Sequence, residues 1–238
     1  MKIAVIFAGG IGKRMNSNGV PKQFLKLNNK EIIIYTLEIF ENSKDIDAIV
    51  ISCLEEKISE LQELVKKYNL KKVLKIVKGG KTGQESIYNG ILGAKEISPN
   101  KNTILLIHDG VRPLINQKVI SDSIKCVEKN ENAITVAPAI ETIIKTKEDE
   151  IENIYERSTC FMARAPQSFY LSDILEAHEK ARVEKKEFID SASLMSYYGH
   201  KLHIIEGPSE NIKITTPIDF YMFKAIKELQ KNLEIIGV

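Results

Sequence analysis

Apolar and polar positions follow two different rhythms along this chain, and the change comes near residue 140. Before it, short uniform apolar runs are separated by longer stretches in which apolar residues recur at intervals of three and four. The uniform runs are Lys2–Phe7, Ala48–Cys53, Val73–Val77, Thr103–Ile107 and Ala133–Ala137. Rich in Val and Ile and bounded by turn residues, they predict strands buried on both faces. Glu31–Phe40 carries apolar residues at 33, 34, 37 and 40, and Glu55–Tyr68 places Ile58, Leu61, Leu64 and Val65 on one face. These two segments, with Ser86–Ile97 and Gln117–Lys129, predict helices. Such alternation implies an α/β fold, a mostly parallel, Rossmann-like sheet with helices on both faces.

Beyond residue 140 the pattern changes. Glu141–Glu156 (ETIIKTKEDEIENIYE) has two β-like runs around the charged turn KEDE and predicts a protruding hairpin arm. Leu171–Arg182, Asp190–Tyr198 and Thr216–Gln230 predict helices, and His203–Glu206 a late strand. With no internal repeat or low-complexity segment, residues 1–238 read as one domain with residues 141–156 as an inserted arm.

Composition narrows the function. A hydrophobic content of 43% with 28% charged residues is ordinary for a protein with a real core. The net charge of +2 argues against a nucleic-acid-binding surface, so any basic function must be local. Cys53, Cys126 and Cys160 lie far apart without a CxxC, which argues against zinc or a disulfide framework. MKIAVIFAGG lacks the pattern of a signal peptide, and no run approaches the roughly 20 apolar residues of a membrane helix. A cytoplasmic protein without membrane contact is the expectation.

One local concentration of charge stands out. Residues 7–24, FAGGIGKRMNSNGVPKQF, follow the first predicted strand and combine Gly9, Gly10 and Gly12 with Lys13, Arg14 and Lys22. In open parallel sheets, ligands bind beyond the C-terminal ends of strands. Glycines there let several backbone N–H groups converge on one anion, and the cations add charge, features that suit a polyphosphate. A solvated loop with its cations in water is the alternative. The stretch is no P-loop, because Gly12-Lys13 is followed by Arg14 rather than Ser or Thr. Nor is it a dinucleotide fingerprint, which would need Gly or Ala at Met15. Asp109, in HDGVRP at the end of the fourth strand, is either a turn carboxylate bonded to its own backbone or a Mg²⁺ ligand. His108 should point away from Asp109 in an extended segment and reads as structural.

Eight stretches then occur in order: AGGIGKRM (8–15), PKQF (21–24), GGKTGQES (79–86), HDGVRP (108–113), ETIIK (141–145), APQSF (165–169), IDSAS (189–193) and NIKITTPIDF (211–220). Together they resemble the signature of the cytidylyltransferases that make CDP-ribitol or CDP-methylerythritol, almost end to end. The resemblance implies a nucleotide-diphospho-sugar transferase-like fold and a reaction in which a polyol phosphate attacks the α-phosphorus of CTP and pyrophosphate leaves. The substrate supplies the nucleophile, in keeping with the lack of a GxSxG elbow. Arg14 and Lys22 would grip the triphosphate and Lys213 would reach the α-phosphate. Ala8, Gly9, Gly10 and Gly12 would line the nucleotide site, with Gly79, Gly80 and Ser86 around the cytosine and ribose. Asp109 would take Mg²⁺, and Arg112 would order its loop or touch the nucleotide.

The resemblance also implies a homodimer in which each arm enters the neighbour's site. Thr142 and Arg157, flanking the arm, would hold the acceptor's phosphate, and Asp190 its hydroxyls. Two positions depart from the family pattern: Gly83 stands where relatives usually carry arginine, and Ala165 replaces the threonine of a TPQ motif. Val111 matches many ribitol enzymes, where methylerythritol enzymes usually have alanine. Ribitol 5-phosphate is therefore the leading acceptor and 2-C-methylerythritol 4-phosphate the alternative. A sugar-1-phosphate nucleotidylyltransferase is disfavoured by APQSF and NIKITTP, and a silent binding module by the joint presence of Arg14, Lys22, Asp109 and Lys213. Asp219 reads as a helix cap rather than a remote acid.

Overall fold

The structure, a computed structural model, describes residues 1–10, 15 and 19–236. Its elements run β1 (Lys2–Ala8), β2 (Lys26–Leu27), β3 (Lys30–Glu31), α1 (Ile32–Glu41), β4 (Ala48–Cys53), α2 (Ile58–Lys67), β5 (Val73–Lys78) and α3 (Gly83–Ile97). They continue as β6 (Ile104–Asp109), α4 (Gln117–Asn130), β7 (Asn132–Pro138), β8 (Ile144–Lys147), β9 (Glu150–Ile154) and β10 (Phe161–Tyr170). Last come α5 (Leu171–Glu184), α6 (Ser191–Tyr197), β11 (Ile204–Glu206) and α7 (Pro217–Ile236). Seven strands form one sheet in the order β11-β7-β10-β6-β1-β4-β5. All neighbours are parallel except β10, which runs antiparallel to both β6 and β7.

The uniform apolar runs are explained by burial on two faces. On β1, Ile3 and Val5 join Val50, Leu105 and the inner faces of α3, α5 and α6. Ala4, Ile6 and Ala8 point the other way, onto Ile49, Leu106 and the helices α1, α2 and α4. The period-2 alternation thus feeds two cores rather than one core and solvent, as a sheet covered on both sides requires.

Sequence pattern did not reveal β10, the longest of these strands. Residues 165–169 are all buried, so no polar alternation marks them, and Pro166 argues against a central strand. The chain accommodates proline through an irregularity: pairing with β7 shifts register between Ala163 and Gln167, and the missing N–H falls inside that gap. The carbonyls left over are satisfied from the side. Thr135 Oγ1 donates to Pro166 O at 2.7 Å, and Asn211 Nδ2 donates to Ala165 O at 2.9 Å.

The predicted helix at Ser86–Ile97 begins three residues earlier, at Gly83, because Thr82 caps it by accepting from Glu85 N at 3.1 Å. At the start of α7, Asp219 Oδ2 accepts from the backbone N–H groups of Thr215 and Thr216 at 2.8 and 2.7 Å. Asp219 therefore closes the helix N-terminus from its first turn, with Pro217 at the first helical position. The arm is the predicted hairpin, β8 paired antiparallel with β9, and every residue of both strands is exposed.

Candidate active site

The order of strands reverses at β1, which has β4 on one side and β6 on the other. The C-terminal ends of β1 and β6 flank the resulting crevice, and the candidate residues gather there. After β1 the chain runs through Gly9 and Gly10; Gly12, Lys13 and Arg14 lie outside the described residues. A one-turn helix, Lys22–Phe24, then brings Lys22 back to the crevice. Gln23, fully buried, secures this loop by donating from Nε2 to Ala8 O at 2.7 Å and Gly10 O at 3.1 Å.

The glycines have a steric reason. A Cβ on Gly9 would lie 2.5 Å from Ser86 Oγ, and one on Gly79 would lie 3.1 Å from Gly9 Cα. The loops after β1 and β5 therefore touch through their backbones. Ser86 Oγ accepts from Gly80 N and donates to Thr82 O, both at 2.9 Å, which fixes the second loop to α3. The result is a cavity of about 180 Å³ lined by Ala8, Gly9, Gly10, Lys22, Ser86, Asp109 and Lys213, among others. Gly79 and Gly80 stand behind Ser86 rather than on the cavity wall.

Asp109 ends β6 as a buried carboxylate between two cations. Arg112 Nε donates to its Oδ2 at 2.8 Å, and Lys213 Nζ lies 2.6 Å from its Oδ1. Arg112 also donates from Nη1 to Asn211 O at 2.8 Å, tying the end of β6 to the segment that carries Lys213. Burial pushes the Asp109 pKa up, but the charges and hydrogen bonds of Lys213 and Arg112 outweigh it and bring it to about 2. His108 points to the opposite face, as the strand alternation requires. It donates from Nε2 to Arg112 O at 3.1 Å and packs edge-on against Phe40, and burial holds it neutral down to about 4.

A second cavity, of about 310 Å³, adjoins the first and shares Phe7, Gly83, Asp109 and Lys213 with it. Arg112, Arg164, Gln167 and Asp190 line its remainder together with Ile87, Ile107, Ile189 and other small or apolar side chains. Asp190 is the N-cap of α6: its Oδ1 accepts from Ser193 N at 2.8 Å and its Oδ2 from Gln167 Nε2 at 3.0 Å. Gln167 Oε1 in turn accepts from Ala192 N at 2.8 Å. Arg164 and Gln167 were not singled out from the sequence; both lie on β10, and only the APQSF motif pointed to the segment. Thr142 and Arg157 are exposed on the arm and line neither cavity; Arg157 Nη1 reaches only Ile140 O, at 3.5 Å.

The arrangement offers two adjacent cavities, largely apolar in lining but each with cations on its wall, meeting at a carboxylate–lysine pair. It is suited to holding two anionic ligands in contact. A family model described as 2-C-methyl-D-erythritol 4-phosphate cytidylyltransferase (IspD) matches residues 2–228. The chain belongs to the IspD cytidylyltransferase family. It is 50% identical to a ribitol-5-phosphate cytidylyltransferase of Vibrio parahaemolyticus over 239 residues, covering the whole of both chains. It is 38% identical to a 2-C-methyl-D-erythritol 4-phosphate cytidylyltransferase of Clostridium botulinum, over 94% of this chain and 96% of that one. In fold it is similar to 4-diphosphocytidyl-2C-methyl-D-erythritol synthase from Anaerococcus prevotii, with a TM-score of 0.82 at 22% identity and 96% of each chain covered.

Within this IspD-family chain, Gly83 borders both cavities, and a Cβ there would meet nothing within 4 Å. The space beside Gly83 is therefore open where both cavities border it. Among the described residues, no group of three or more His, Cys, Asp or Glu side chains could enclose a metal, and Asp109 is the only carboxylate on the first cavity's wall.

Asp109 gives the fold a signed dependence on pH. Its pKa in the fold lies below the ordinary carboxylate value, so its ionised form adds stability above about pH 4 that is lost as the pH falls toward 2. The gap between 3.8 and about 2 corresponds to about 2 kcal/mol. His108, depressed to about 4, acts earlier: the unfolded chain takes up its proton first, so stability falls between about pH 6.5 and 4. Urea unfolding of wild type and Asp109→Asn from pH 5 to 2 should show the variant losing about 2 kcal/mol less across that range. Parallel curves would contradict the ion-pair account.

Proposed function

We propose that this chain transfers CMP from CTP to D-ribitol 5-phosphate, giving CDP-ribitol and pyrophosphate. The observation that carries the reading is the shared edge of the two cavities, at Asp109 and Lys213, in a cytidylyltransferase half identical to a ribitol-5-phosphate cytidylyltransferase. CTP would occupy the first cavity, with its triphosphate against the Gly9–Gly10 backbone and Lys22. The acceptor would occupy the second, its hydroxyls toward Asp190 and Gln167. An oxygen of its phosphate then attacks the α-phosphorus, the bond from that phosphorus to the β-phosphate oxygen breaks, and pyrophosphate leaves.

Chemistry of this kind needs positioning and charge rather than a protein nucleophile. Two phosphates about 4 Å apart repel by about 1 kcal/mol per charge pair in water and several-fold more in a partly dry site. Lys22 and Lys213 lower that barrier, with Arg14 assigned the same role. Asp109 holds Lys213 on the shared edge and, through Arg112, fixes the loop between them. Asp109, the ionised carboxylate on the first cavity's wall, would be the residue to hold a Mg²⁺ ion, sharing its oxygens with Lys213 and Arg112 while phosphate oxygens completed the shell. Such an ion would neutralise charge on the triphosphate.

The arm supports a homodimer. Ile144, Ile151 and Ile154 are about half exposed or more on a two-stranded hairpin, which is marginally stable by itself and calls for another surface. With Thr142 and Arg157 on the arm, crossing arms in a twofold dimer would bring these residues to the neighbour's second cavity. Among the described residues no helix is long and apolar enough to cross a membrane. A second acceptor, 2-C-methyl-D-erythritol 4-phosphate, is favoured by the description of the family model and by the 38% identical relatives.

Pyrophosphate release measured with each nucleoside triphosphate against both polyol phosphates decides the reading. CTP with D-ribitol 5-phosphate should give a kcat/KM at least about 10-fold above any other pair, a difference of about 1.4 kcal/mol in barrier. A preference for 2-C-methyl-D-erythritol 4-phosphate would overturn the acceptor assignment.

The shared site has its own test. Lys22→Ala should lower kcat by about 10²-fold, the scale of losing one charge stabiliser, and Arg157→Ala should also be impaired. After subunit exchange in an equal mixture, half the dimers are mixed, and one of their two sites carries neither defect. About a quarter of wild-type activity should return. No recovery after confirmed exchange would show that each chain builds its site alone.

A further inference from the structure

Arg164 is a cation that nothing described so far uses. It lies in the irregular stretch of β10, where pairing with β7 lapses between Ala163 and Gln167, and it lines the second cavity. Irregularities of this kind re-aim side chains next to binding sites. Arg164 is half-buried, and its Nε is fully buried without a hydrogen-bond partner among the described residues. Among the described residues it makes a weak contact from Nη2 to Met162 Sδ at 4.0 Å and has no carboxylate within salt-bridge distance.

The other cations on this wall are engaged. Arg112 is bonded to Asp109 and to Asn211 O, and Lys213 is paired with Asp109. Asp190, the second carboxylate, is held by Gln167 and by the first turn of α6. With Arg112, Arg164 and Lys213 set against Asp109 and Asp190, the wall carries one positive charge in excess, and it is Arg164 that is unmatched. Arg112 and Arg164 line the same cavity, and burial, with the like charge of Arg112 second, disfavours the charged form of Arg164. A buried donor and two neighbouring like charges are unfavourable without an anion to bind both. Because Arg112 touches Asp109, that anion would lie beside the edge shared with the nucleotide cavity.

We propose that Arg164 binds the phosphate of the acceptor substrate from within the chain, using its guanidinium edge to hold it beside Arg112 and the Asp109–Lys213 pair. This rests on the assignment of the second cavity to the acceptor. The attacking phosphate must stand at the shared edge, and a planar guanidinium can donate two parallel hydrogen bonds to it while leaving a third oxygen to attack. Arg164 thereby distinguishes phosphorylated polyols from free ones before any arm residue arrives.

Kinetics and binding on R164M and R164K test the proposal. R164M should raise KM for D-ribitol 5-phosphate by about 10- to 100-fold, the scale of losing a charge-assisted hydrogen bond. KM for CTP should change by less than about 2-fold, and kcat far less than the acceptor KM, because the contact is present before and during reaction. R164K should fall between, keeping the charge without the paired geometry. In a second arm, calorimetry with the nucleotide cavity filled by α,β-methylene-CTP uses inorganic phosphate and, separately, free ribitol as probes. R164M should weaken phosphate binding and leave ribitol binding unchanged.

If wild type turns over D-ribitol 5-phosphate while R164M keeps both its acceptor KM and its phosphate affinity, Arg164 has no such role and the acceptor assignment stands. If wild type rejects D-ribitol 5-phosphate but binds phosphate through Arg164, the acceptor assignment falls and Arg164 keeps its role. Equal losses toward CTP and acceptor in R164M, unrelieved in R164K, would mark a purely structural side chain and overturn the proposal.

Discussion

A carboxylate taken out of water between two cations is unfavourable to bury and more unfavourable to leave unpaired, and Asp109 sits in that position. Breaking a buried pair by removing one partner typically costs about 3–5 kcal/mol, because the remaining charge stays desolvated. The carboxyl of Asp109 spans 2.8 Å to Arg112 in the turn that follows it and 2.6 Å to Lys213, about a hundred residues on, and so it ties the end of β6 to a distant part of the chain. The end of β6 supplies the carboxylate, the following turn the guanidinium, and the segment before α7 the lysine. Asn211 extends the joint to β10 through Ala165 O, and Ile214 N adds a bond to Val111 O at 2.9 Å. Both cavities exist as neighbours because this joint forms the wall between them.

The same region concentrates departures from regular structure. Gly9 and Gly79 let two loops meet at backbone distance, which a pair of alanines would prevent. The lapse in β10 removes one stretch of ladder and turns its freed carbonyls toward Thr135 and Asn211. In β10 a regular element gives up local hydrogen bonding, and side chains from elsewhere restore it. The sheet and its two cores carry the stability, which leaves its C-terminal edge able to hold a polar, charged crevice.

Much of this was legible in the residues. The runs at 2–7 and 48–53 betray strands because both faces are buried, and helices such as Glu55–Tyr68 show their apolar face at regular intervals. Gly9, Gly10, Ser86, Asp109 and Lys213, which the structure brings to the wall of one cavity, stood out in the sequence because they flank strand ends or sit in motifs. The β10 strand was not found, since full burial erased its alternation and Pro166 argued against it. Arg164 and Gln167 went unnoticed with it, their place on the cavity wall depending on a strand that no pattern announced. The arm was legible as a hairpin from its two runs and charged turn, yet Thr142 and Arg157 reach neither cavity within one chain. Gly12 and Arg14 lie outside the described residues, and of the glycine loop the structure brings Gly9, Gly10 and Lys22 to the first cavity.

The proposed transfer requires nucleotide and acceptor to occupy separate cavities that meet at Asp109 and Lys213. A crystal structure of the dimer with α,β-methylene-CTP and D-ribitol 5-phosphate tests it most directly. The α-phosphorus should stand beside Lys213, with an acceptor phosphate oxygen about 3–3.5 Å away and opposite the pyrophosphate portion. The sugar alcohol should extend toward Asp190 and Gln167. An acceptor bound outside the second cavity, or a triphosphate lying across Asp190, would contradict the account.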